Sequence, residues 1–121
     1  MLTAKYFKDA EFRRCVPSCS INDMQQHTLT RLDMARAYAG IPFIITSAFR
    51  SKEHELAKGR TGTGAHTTGE AVDIKTADMT QRYKILNGLI KAGFTRIGIA
   101  DGYIHADDCP RKQKEVVWLY K

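Results

Sequence analysis

The stretch GAHTTGEAVDIK, residues 64–75, restricts most tightly what this chain can become. It sets an imidazole, His66, ahead of a carboxylate, Asp73, with Gly69 and Ala71 at alternate positions before the aspartate. The run EAVDIKT reads as a strand, so residues 69, 71 and 73 share one face while Glu70, Val72 and Ile74 take the other. Asp73 then sits on a face cleared by small residues, and the TTG turn can fold His66 back towards it. Burying a carboxylate without a partner costs on the order of several kcal/mol. Something must offset that cost, and a metal ion is one candidate.

A third donor has to come from elsewhere, and His105 is the best available. In YIHAD, Tyr103, His105 and Asp107 alternate with Ile104 and Ala106, as on a strand able to lie beside that of Asp73. Two histidines and a carboxylate with one position open describe a catalytic rather than a structural zinc. The plainer reading makes His66 a loop histidine, Asp73 a capping or turn carboxylate and His105 a surface residue. Spacing does not choose between the two.

The rest of the chain supplies a frame of helices and strands. Tyr6, Phe7 and Phe12 anchor a lead-in over residues 4–14. Asn22, with Gln25 three positions on, predicts a helix over 23–39 that Gly40 stops. FIITSAF (43–49) reads as a buried strand and SKEHELAK (51–58) as a short helix; GRTGTG (59–64) reads as a loop. Asp78 and Gln81 cap a second helix over 79–92, with an expected apolar stripe of Met79, Tyr83, Leu86, Leu89 and Ile90. TRIGIA, GYIHAD and EVVWLY read as three further strands joined by turns too short for parallel crossovers. The expected fold is therefore α+β: an antiparallel sheet flanked by two longer helices, which on the metal reading carries the zinc cleft on the sheet.

The chain has 121 residues, enough for one core, so a single domain over residues 1–121 is expected. No run approaches the roughly 20 apolar residues of a membrane span, and the N-terminus lacks a secretory pattern. The net charge of +6 favours anionic partners, but the basic residues are scattered (the densest groups are Arg13–Arg14 and RKQK, 111–114), which argues against a nucleic-acid surface. Cys15, Cys19 and Cys109 are an odd number, without an evident fourth zinc ligand, and read as free thiols in a reducing compartment. HELAK lacks the second histidine of a zinc-protease helix, so His54 reads as structural or substrate-side. GRTGTG lacks the ending of a phosphate loop, and His27 reads as a helix-boundary residue without a catalytic role.

Three motifs, SAFRS (47–51), HTTGEAVD (66–73) and HAD (105–107), stand in the order found in the zinc D-alanyl-D-alanine carboxypeptidases, a family that includes phage endolysins. The chain resembles that family over most of its length. The resemblance implies that His66, Asp73 and His105 bind Zn2+ and that Arg50 contacts substrate, holding a peptide carboxylate or steadying charge on the carbonyl oxygen. Better-known members carry an acidic residue three positions before the last histidine ligand; here Gly102 stands there. Asp101 is the preferred general base, and Asp107 is its rival or else a carboxylate that orients a ligand.

The expected function is zinc-dependent hydrolysis of an amide bond in the peptide stem of bacterial peptidoglycan, as a D,D-carboxypeptidase or an endopeptidase of the endolysin type. A monomer of phage or bacterial origin, made in the cytoplasm without a signal peptide and acting on the wall, fits the resemblance. The alternative is a zinc-containing binding module of the same fold without hydrolysis, as in hedgehog-type domains.

Overall fold

The computed structural model describes residues 4–12, 19–50 and 64–120. The helix expected over 51–58, His54, Arg13, Arg14 and Cys15 lie outside the described residues. Two helices, α1 (Gln26–Ala39) and α2 (Met79–Ala92), pack against a five-stranded sheet of β1 (Ile45–Ser47), β2 (Ala71–Lys75), β3 (Arg96–Ile99), β4 (Tyr103–Asp107) and β5 (Val116–Leu119). The sheet order is β1-β2-β4-β3-β5. All neighbours are antiparallel except β3 and β5, which run parallel. The architecture is α+β, as the sequence predicts.

Local chemistry explains where the helices start and stop. Asp78 Oδ1 accepts from the Gln81 amide at 2.8 Å, Gln81 Oε1 accepts from the Ala77 amide at 2.9 Å, and Gly93 ends α2 in the left-handed region. The first helix begins differently from expectation. Its upstream capping box belongs to Ser20 and Asp23, around a short 3-10 turn at Ile21–Asp23, and α1 itself starts only at Gln26. Gln25 instead binds the turn before β2, where its amide donates to Gly69 O at 2.9 Å and its side chain to Thr68 O at 3.2 Å. The stripe of α2 is also rephased, because Met79, Tyr83 and Ile90 are exposed while Ile85, Gly88, Leu89 and Ala92 face inward. Gly88 sits where α2 packs closely on α1, since a Cβ there would stand 2.5 Å from Ala35 O.

The core joins Leu29, Leu32, Ile85 and Leu89 of the helices to Ile45, Val72, Ile74, Ile97, Ile104 and Ala106 of the sheet. Alternation along β2 and β4 then sends Asp73 and His105 to the face away from the helices. Phe7 and Phe12 are buried, as expected of anchors, but Tyr6 is not. The cysteines depart from the free-thiol expectation: Cys19 is disulfide-bonded, and only Cys109 is a free thiol among the described residues.

Candidate metal centre

Strand register brings two of the three predicted donors, Asp73 and His105, to one place, and a turn brings the third. Asp73 pairs with His105 across β2 and β4, and Ser47 pairs with Asp73 across β1 and β2. His66 arrives from the turn before β2. That turn needs Gly69, whose φ is +76° and whose missing Cβ makes room for the backbone of Asp23 and Met24. Two bonds tie it to the segment after β1: the Arg50 amide donates to His66 O at 3.0 Å, and His66 Nδ1 donates to Ala48 O at 2.6 Å.

The donor atoms converge tightly. His66 Nε2 lies 3.2 Å from Asp73 Oδ1, His105 Nδ1 lies 3.1 Å from the same oxygen, and the two nitrogens are 3.2 Å apart. All three side chains are buried. The outer ring nitrogens decide what the inner ones are. His66 Nδ1 faces a backbone carbonyl, and His105 Nε2 faces Asp107 Oδ2 at 2.7 Å, so each outer nitrogen carries the proton. In the neutral rings, both inner nitrogens therefore present lone pairs to one another and to a carboxylate oxygen. Three acceptors at this range repel unless a cation sits among them. A tetrahedral zinc with bonds of about 2.0–2.1 Å has donor–donor edges of about 3.3 Å, close to the separations here. The residues fit the ion.

Electrostatics runs the same way. Burial would raise the Asp73 pKa, but in the metal-free site, once the inner nitrogens carry a proton, hydrogen bonds from His105 and His66 and the charge of both rings hold it well below the usual carboxylate range. Burial pushes His66 down, and the nearby charges of His105 and Arg50 add to that. His105 goes the other way: against burial, its bonds to Asp107 and Asp73 raise it above 6.5. Arg50 thus stands close enough for its charge to reach the centre.

The other predicted residues divide. Asp107 lies behind His105, on the ring edge away from the convergent atoms, and its Oδ1 contacts Arg96 Nε at 2.9 Å. Asp101 is exposed on the β3–β4 turn, where its carbonyl accepts from Arg82 Nη2 at 2.8 Å. It is not among the three convergent donors. His27 is more engaged than a boundary residue, bridging Asp108 at 2.8 Å and Glu70 at 3.2 Å. That cluster anchors α1 to the two ends of the site strands. Sequence reading missed Glu70 and Asp108; an acid directly before AVDIK and another directly after YIHAD were the available signal.

A family model for peptidase M15 matches residues 5–107. This chain belongs to the peptidase M15 family. The match spans all three donors, and M15 membership supports a zinc-dependent metallopeptidase whose substrate contains a peptide. No curated protein matched the chain in the comparison. No helix among the described residues is long and apolar enough to cross a membrane.

Proposed function

We propose that this M15 peptidase hydrolyses an amide bond in the peptide part of bacterial peptidoglycan. The observation that carries the metal chemistry is the convergence of three lone-pair donors, two of them imidazoles whose outer N–H groups are already committed. A zinc ion there would supply a Lewis acid for the scissile carbonyl and a nucleophilic water at neutral pH. His66, Asp73 and His105 would hold it. Arg50 binds a peptide carboxylate or the carbonyl oxygen as charge develops on it, consistent with its electrostatic reach to His66. Asp101 takes the proton of the attacking water and returns it to the leaving amine. Asp107 is the weaker base, because its carboxylate is engaged by His105 and Arg96. His54, outside the described residues, is proposed as a substrate-binding residue, with a structural role as the alternative. The net charge of +6 favours an anionic wall, where a monomer of endolysin or carboxypeptidase type would act.

A second reading, a zinc-containing binding module without hydrolysis, draws support from Gly102 at the position where better-known relatives carry an acid. Mass analysis of purified wall fragments separates the two. Incubation with zinc-loaded protein should release a peptide or D-alanine with uptake of one water, and chelator should stop it. Full zinc occupancy with every stem peptide intact would leave the binding module.

A further inference from the structure

The wall beside His105 comes from beyond the stretch that the family model matches, which ends at residue 107. In the sheet, Gly98 pairs with His105 on one side and with Trp118 on the other, so the three share a row across β4, β3 and β5. A Cβ on Gly98 would stand 2.5 Å from Trp118 Nε1 and 2.6 Å from its Cε2. Glycine alone lets the indole lie over β3. The indole consequently reaches His105, with ring centroids 5.4 Å apart and planes inclined at 47°.

The same indole closes a circuit. The Arg96 guanidinium lies over it at 5.2 Å from the ring centroid; Arg96 Nε is 2.9 Å from Asp107 Oδ1; and Asp107 Oδ2 accepts from His105 Nε2 at 2.7 Å. Each member therefore touches two others. A single hydrogen bond at Nε2 sets the tautomer of His105 but leaves the ring free to tilt about that bond. The indole adds a contact on the ring beside that of His66, whose centroid is 5.0 Å from that of His105, and so limits the tilt. The Asp107–His105 bond beside it is buried, and such a bond is stronger where water is kept away.

We infer that Trp118 is a positioning residue for His105, holding its inner nitrogen on the convergent point through the ring contact and through Arg96 and Asp107, with Gly98 as the residue that admits it. This rests on the reading of His66, Asp73 and His105 as metal ligands.

The test is zinc affinity, measured by competition with a chromophoric chelator, for Trp118→Ala, Trp118→Phe, Gly98→Ala and Leu119→Ala. Trp118→Ala and Gly98→Ala should weaken zinc about tenfold or more, the range seen when partners behind a ligand are removed. Trp118→Phe keeps an aromatic face and should restore most of the affinity. Leu119→Ala, on the same strand but 77% exposed, should leave it unchanged. Trp118 is the only tryptophan in the chain, so Co2+ bound at the centre should quench the intrinsic emission of the wild type. A purely structural tryptophan would lower the melting temperature in Trp118→Ala yet leave zinc affinity within about twofold, far short of the loss expected when a ligand's supporting partner goes, and that result overturns the inference alone. If Trp118→Ala does not fold, Gly98→Ala and the wild-type quenching decide: unaltered affinity, or bright emission in Co2+-saturated protein, overturns it. Absence of any zinc binding by the wild type overturns this inference and the metal reading together.

Discussion

Asp107 Oδ2 accepts the Nε2 proton of His105 at 2.7 Å, from two residues further along the same strand face. Strand alternation makes that contact nearly automatic, and Arg96, paired in register with Asp107, holds the carboxylate from its other oxygen. Asp107→Ala should therefore lower zinc affinity by about 10- to 100-fold without removing any of the three donors. Calorimetric titration of the variant reads this directly; affinity equal to wild type would show that His105 needs no help from behind.

Metal uptake should depend on pH through one group above all. In the metal-free protein His105 has a raised pKa, so its proton stabilises the fold at low pH and that benefit fades as pH rises through the raised value. Zinc must displace that proton, whereas His66 is pushed down and Asp73 is held well below the carboxylate range. Apparent zinc affinity should fall by up to about tenfold per unit as pH drops below the His105 pKa, a midpoint above 6.5. Titrations in buffers of different ionisation enthalpy should count close to one proton released there, and none would contradict the assignment.

The base assignment separates cleanly from the metal. Asp101→Asn should retain zinc at wild-type affinity yet lose about 100-fold or more in kcat, the usual contribution of general base catalysis. Retention of full turnover by Asp101→Asn would remove it from the mechanism.

Gly88 is a point of close approach between the helices. Gly88→Val forces a side chain against Ala35 O and Ala39, and overpacking of this kind costs about 1–3 kcal/mol or more. Leu32→Ala, fully buried in the same layer, should cost about 2–5 kcal/mol by leaving a cavity. Urea unfolding of both variants checks the two opposite errors of packing.

Much of the site was legible because its geometry follows from period-two alternation. Gly69, Ala71 and Asp73 share a face in any strand, and YIHAD alternates in the same way, so His105 opposite Asp73 needed only the right register. The cap of α2 was equally local, since Asp78 and Gln81 meet within one turn. What resisted reading was non-local. Gln25 has the look of a helix's third residue in sequence, but the turn at Thr68 and Gly69 claims it in space. The stripe of α2 was misphased because Gly88, which carries no hydrophobic signal, marks the contact with α1. The parallel placement of β5 was hidden too, as short connections suggested only antiparallel pairs.

The two imidazoles are held by different kinds of anchor. His66 leans on the main-chain oxygen of Ala48, which every residue type at position 48 would still provide, whereas His105 leans on the side chain of Asp107. Heritable change can thus retune one half of the centre in a single step while the other half stays out of its reach, so divergence in metal preference among descendants of this chain should accumulate around β4.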